Sequence, residues 1–239
     1  MTRPFDQSGF GRRLEEVRRR IASASADPAA VRIVAVTKGF GADAVRAALG
    51  AGLTEIGENY ADELVAKARE VAAGPGIAGP GAVWHFLGAV QRNKVPRLVP
   101  VVTWWQAVSR IEEGRAIAGR LPGAKVLVQV DVVGRPGRRG CPPDRARELV
   151  GGLRGEALDV AGLMAVGPPG PPEEARAGFA QVSLLADALA LPVRSMGMSD
   201  DLEVALSEGS TMVRLGRALF GDRVPGPAIH QPGKSGTTL

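Results

Sequence analysis

The chain has 239 residues, 45% of them hydrophobic and 23% charged, a balance that supplies a sizeable core and argues against intrinsic disorder. Its single cysteine, Cys141, excludes an intramolecular disulfide, and its 32 glycines and 18 prolines follow no collagen period. A formal net charge of +5 raises nucleic acid as a partner, but the basic residues are scattered and only 4% of the chain is aromatic, too little for a base-stacking platform, so no nucleic-acid partner is expected. No uncharged apolar run reaches the roughly 18 residues of a membrane-spanning helix, so no membrane association is expected either. A reducing, cytoplasmic setting is the expectation.

Phe10, Leu14, Val17 and Ile21 recur at three- and four-residue spacings among arginines and glutamates, which predicts an amphipathic leading helix. From there β-branched runs alternate with Ala-rich segments. Strands are predicted over residues 31–37, 53–57, 82–87, 99–104, 126–133, 158–165, 192–196 and 211–216, with a helix over 200–208. Eight strands alternating with helices in this length match a parallel (β/α)8 TIM barrel better than an open doubly wound sheet. No G-x-G-x-x-G or P-loop follows an early strand, so neither nucleotide fingerprint is present. Residues 1–221 are read as one barrel domain and residues 222–239, rich in Gly, Pro, Ser and Thr, as a flexible tail.

Of only five lysines, Lys38 closes the run VRIVAVTK. The C-terminal end of a first barrel strand opens on the face where such barrels build their sites. Apolar neighbours there disfavour an ammonium, and a partly neutral amine is what Schiff-base formation needs; the alternative is a lysine that has emerged into solvent. In SMGMSDD, Ser199 or Asp200 is placed to cap a helix and present N–H groups to an anion. GSTMVRLGRALFG follows, with Gly216 and Arg217 after the last strand, where barrels often hold a phosphate. Arg214, inside the apolar MVRLG, is either projected into a cleft or held in a structural ion pair, because a buried unpaired charge is costly. An anchor lysine, a phosphate cradle and a fixed cation beside a heterocycle together make the parts of a pyridoxal 5′-phosphate site.

The motifs AVTK, GENY, WHFLGAVQRNK, VLVQVD, GLMAV, SMGMSDD and GSTMVRLGRALFG, in that order between about Val31 and Gly221, resemble the pyridoxal-phosphate homeostasis protein family, fold-type III barrels similar to the barrel domain of alanine racemase. The resemblance implies that Lys38 carries pyridoxal 5′-phosphate as a Schiff base. It further implies that Ser199 and the backbone around Gly216 and Arg217 contact the phosphate, and that Arg214 faces the pyridine nitrogen. Asn59 of GENY and His85 of WHFLG match positions near the cofactor, although a satisfied core histidine is an equal reading of His85. The chain departs from the family pattern at Gly39-Phe40, at Arg92, and after VLVQVD, where Asp131, Arg135 and Arg138 precede Gly140. The loop 135–139 is therefore assigned no ligand role.

The function implied is intracellular pyridoxal-phosphate homeostasis by a monomer that carries the cofactor without substantial turnover and hands it to dependent apo-enzymes. The alternative is an amino-acid racemase or decarboxylase in which Lys38 serves as one base and a group from another subunit completes the pair. A permanent cation at the ring nitrogen weakens the ring as an electron sink, which favours the first.

Overall fold

In a computed structural model, which describes residues 7–74 and 81–221, eight parallel strands close into one barrel in sequence order. They are β1 (Arg32–Val36), β2 (Glu55–Glu58), β3 (Val83–Phe86), β4 (Val102–Val108), β5 (Lys125–Val130), β6 (Asp159–Ala165), β7 (Val193–Ser195) and β8 (Met212–Leu215). The helices α1 (Phe10–Ala24), α2 (Ala42–Gly50), α3 (Ala61–Ala73), α4 (Val95–Leu98), α5 (Ile111–Ala118), α6 (Ala146–Gly155), α7 (Arg176–Ala188), α8 (Leu202–Ser207) and α9 (Arg217–Phe220) surround it. The expected TIM barrel and leading helix are both present. The proposed tail lies outside the described residues. Among those described, no helix is long and apolar enough to cross a membrane.

The strands are covered on both faces, which is why they read as continuous apolar runs instead of alternating ones. Outward-facing residues such as Ala35, Ile56, Val126 and Leu163 pack under the helices in the larger core. Inward-facing Val34, Trp104, Leu127, Met164 and Met212 fill the lumen. The barrel closes because β1 pairs with β8, setting Val34 beside Arg214 and Ala35 beside Leu215. Closure is tight at β6 and β7: a Cβ on Gly162 would lie 2.0 Å from the carbonyl oxygen of Val193. The leading helix buries Phe10, Leu14, Val17 and Ile21 as its spacing predicts, with Phe10 stacked on Phe220 at 5.5 Å.

Two strands depart from expectation. The fourth runs over Val102–Val108 instead of 99–104, because Val99 N–H donates to Val95 O at 3.0 Å and Val101 N–H to Leu98 O at 2.9 Å. Those amides finish the turn of α4 and are lost to the ladder, while the strand continues through the polar Gln106. The fifth ends at Val130, because Asp131 Oδ1 accepts from the amides of Val133 and Gly134 at 3.0 and 3.1 Å and turns the chain.

Candidate functional site

The C-terminal ends of the strands frame a cleft of about 450 Å³. Lys38, Asn59, Ser199, Arg214, Gly216 and Arg217 all line it, against apolar walls that include Phe40, Met164 and Met198. Six residues singled out along 180 positions of sequence thus meet in one concavity, where sites of (β/α)8 barrels form.

Lys38 sits just past β1, half-buried, on a segment anchored from below. The ammonium of Lys67, on α3, donates to Thr37 O at 2.8 Å, Glu58 Oε1 at 2.6 Å and Glu63 Oε2 at 3.2 Å. Those three contacts match its three N–H donors. Thr37 Oγ1 also donates to Glu58 Oε1, at 2.5 Å, and Gly39 N–H donates to Glu63 Oε2 at 3.1 Å. Both neighbours of Lys38 are therefore tied to one buried cluster. Glu58 is fully buried, and its Oε2 has no hydrogen-bond partner among the described residues. Burial pushes its carboxyl up to about 7, against the opposing pull of Lys67 and Thr37.

Arg214 is buried and its guanidinium is held by acceptors. Nη1 donates to Ser195 O at 2.6 Å and Ser195 Oγ at 2.7 Å, and Nη2 to Ala165 O at 2.8 Å. Burial lowers its pKa to about 10, with nearby Asp201 acting in the other direction, so it stays cationic at neutral pH. This settles the choice between cleft and ion pair: Arg214 lines the cleft and hangs from backbone carbonyls rather than from a bound carboxylate. Ser199 Oγ accepts from Ala218 N–H at 3.0 Å, tying the loop after β7 to the turn after β8. The exposed Arg217 side chain pairs with Asp200, and both residues line the cleft.

Asn59 is placed by a glycine. A Cβ on Gly88 would stand 2.0 Å from Asn59 O and 2.9 Å from its carbonyl carbon, both backbone atoms that cannot step aside cheaply. Gly88→Ala is expected to destabilise the fold by about 1–3 kcal/mol while displacing Asn59. Urea unfolding checks this, and an unchanged midpoint would refute it.

His85 is not brought to this cleft. It is fully buried in the lumen, stacked on Trp104 with ring centroids 5.6 Å apart. Its Nε2 bonds Glu55 and its Nδ1 lies 2.7 Å from Gln106 Nε2. Its position on β3, flanked by two buried aromatics, turns it inward below the rim. The sequence does not single out Lys67, nor Glu58 and Asp201 within GENY and SMGMSDD, nor Arg138, which lines the cleft from the loop 135–139.

The model of the alanine racemase N-terminal domain family matches residues 12–224. The chain is 39% identical over 215 residues to the pyridoxal phosphate homeostasis protein of Pseudomonas aeruginosa, covering 87% of this chain and 91% of that one. It is 37% identical over 215 residues to the protein of the same name from Deinococcus radiodurans, covering 87% and 97%. Among solved structures it is similar to PipY of Synechococcus elongatus with pyridoxal phosphate bound, at TM-score 0.72 and 33% identity, covering 86% of this chain and 100% of that one. Alanine racemase from Corynebacterium glutamicum has the same fold at TM-score 0.64 and 15% identity, covering 90% of this chain and 60% of that one.

Proposed function

This chain belongs to the family of pyridoxal phosphate homeostasis proteins, and on that premise we propose that its cleft holds pyridoxal 5′-phosphate with Lys38 as the covalent anchor. The observation that carries the reading is the meeting of Lys38, Ser199 and Arg214, from the ends of β1, β7 and β8, in one cleft. The donor set fits the group: a primary amine for its aldehyde, a cation for its ring nitrogen, and a hydroxyl and backbone amides for its phosphate. When bound, the cofactor supplies an electrophilic carbonyl carbon and an electron-accepting ring. Lys38 supplies the capturing amine, and the Lys67 cluster sets its backbone. Ser199, with the backbone around Gly216 and Arg217, takes the anionic end, and Asn59 adds a polar side chain to the wall.

Arg214 restrains further chemistry, since a permanent cation keeps the ring nitrogen unprotonated. The function supported best is to bind the cofactor, limit its free aldehyde and release it to dependent apo-enzymes, as a cytoplasmic monomer. Incubation with pyridoxal phosphate, borohydride reduction and peptide mass spectrometry should place the adduct on Lys38, and Lys38→Ala should lose it while keeping the fold. An adduct on any other of the five lysines would reject the assignment. D-amino acid or carbon dioxide production from L-amino acids at the rates of ordinary enzymes, roughly 1–10³ per second, would replace the carrier reading with a catalytic one.

A further inference from the structure

Below the cleft, a line of buried polar side chains crosses the lumen. Arg214 Nη1 donates to Ser195 Oγ at 2.7 Å, and Ser195 Oγ donates to Gln106 Oε1 at 2.7 Å. Gln106 Nε2 lies 2.7 Å from His85 Nδ1, and His85 Nε2 meets Glu55 Oε2. Glu55 Oε1 accepts from Arg32 Nη2 at 2.6 Å and Nε at 3.1 Å. Arg32 and Glu55 begin β1 and β2 and line a depression at the opposite mouth of the barrel. The line therefore runs from one end of the barrel to the other.

Its two ends force the role of every member. A guanidinium only donates, so Ser195 Oγ accepts from Arg214 and has its single proton left for Gln106. Gln106 must then offer its oxygen to Ser195 and its amide N–H to His85, which makes His85 Nδ1 the acceptor. The imidazole proton is left on Nε2, facing a carboxylate that only accepts. Ser195, Gln106 and His85 are each fully buried, so water does not offer them alternative partners. The charges agree with this direction. Burial holds His85 below its ordinary pKa and therefore neutral, with Glu55 pulling the other way. Burial pushes Glu55 upward, but His85 and Arg32 outweigh it and keep the carboxyl low and ionised. Around the line, Arg32 and Lys125 lie over the Trp104 ring at 4.5 and 5.3 Å, and Met212 Sδ is 3.2 Å from Gln106 Nε2.

We propose that Ser195, Gln106, His85 and Glu55 are positioning residues for Arg214, a one-directional hydrogen-bond relay that fixes the guanidinium at the cofactor ring from the far mouth of the barrel. None of them touches the cofactor; each acts through its neighbour. The role at the ring rests on the reading of the cleft given above, whereas the relay itself exists without the cofactor, and two measurements separate the two.

The first is ¹⁵N NMR of the cofactor-free protein, whose only histidines are His85 and His230. His85 should be entirely the Nε2–H tautomer, held by the Glu55 carboxylate, and Gln106→Glu, which sets an acceptor against Nδ1, should place a proton on Nδ1 as well. A wild-type His85 protonated at Nδ1, or an Nδ1 left unprotonated in Gln106→Glu, would overturn the relay. The second is the visible absorption band of the protein loaded with pyridoxal phosphate. Gln106→Leu and Ser195→Ala should each shift it, and the double variant should shift it no further than the larger single one. Absent or additive shifts would overturn the action on Arg214. If the Gln106 variants do not fold, the wild-type tautomer and the Ser195→Ala band decide: an Nε2–H imidazole with a shifted band supports the proposal, and an Nδ1–H imidazole or an unmoved band overturns it. A wild-type protein that takes up no cofactor defeats the reading of the cleft, and the tautomer still decides the relay.

Discussion

Arg214→Glu is expected to destabilise the fold by about 3–5 kcal/mol, the scale for leaving buried charged partners unmatched, before it reports on any ligand. The guanidinium donates to Ser195 O, Ser195 Oγ and Ala165 O. A carboxylate there would face acceptors with another acceptor. It could relieve the clash only by taking a proton or by dragging β6 and β7 apart, which would break the ladder that pairs Leu163 with Arg194 and Met164 with Ser195. From the ring chemistry alone, this substitution is a probe of nitrogen protonation; the contacts make it a stability mutation first. Arg214→Lys keeps the charge but gives up the planar fork that reaches two strands at once, and should cost less. Urea unfolding of both variants checks the order, and an Arg214→Glu midpoint equal to wild type would mean that the guanidinium does not bridge these strands.

Lys67→Met should be comparably severe at alkaline pH and milder in acid. Removing the ammonium leaves Glu58 buried beside Thr37 with its charge unopposed, which costs about 3–5 kcal/mol when the carboxyl is ionised. The carboxyl already sits at about 7 against its ordinary 4.5. A carboxyl raised on folding contributes stability that is complete below pH 4.5 and is lost as pH rises through about 7. Without Lys67 that pKa rises further, so the penalty of Lys67→Met should grow between pH 5 and 8. Adding Glu58→Gln, which cannot ionise, should recover much of the loss at pH 8 and little at pH 5. Thermal melts of the two single variants and the double variant across that range test the coupling. A penalty independent of pH would show that Glu58 does not ionise in the fold. Because the cluster holds the residues on both sides of Lys38, the same variant should weaken capture of the aldehyde.

The two expectations differ in how far they could be read from the chain. Arg214 announces itself, as a charge set among apolar strand residues must have partners, although the partners could not be named: Ser195 is 19 residues away and Ala165 is 49. Lys67 gives no such notice. On α3 it has the spacing of an ordinary i, i+4 pair with Glu63, and only the packing of that helix against β1 and β2 turns it into a buried clamp. His85 shows the converse. Its motif points to the cofactor, but its pleat on β3 faces the lumen, and Gln106, its partner, lies beyond the predicted end of the fourth strand because the turn of α4 displaces that strand toward the C-terminus.

By itself, the order of residues determined the eight-strand alternation, the leading helix and the motifs that contain Lys38, Ser199, Arg214 and Gly216, because each is a local pattern of apolar period, turn residues or misplaced charge. Tertiary structure decided which side chains share a level inside the barrel. Period tells which face a residue occupies, whereas strand stagger on closure sets its height and its neighbours across the lumen. For that reason the cleft could be anticipated from the chain, and the polar line beneath it became visible only once β1 met β8.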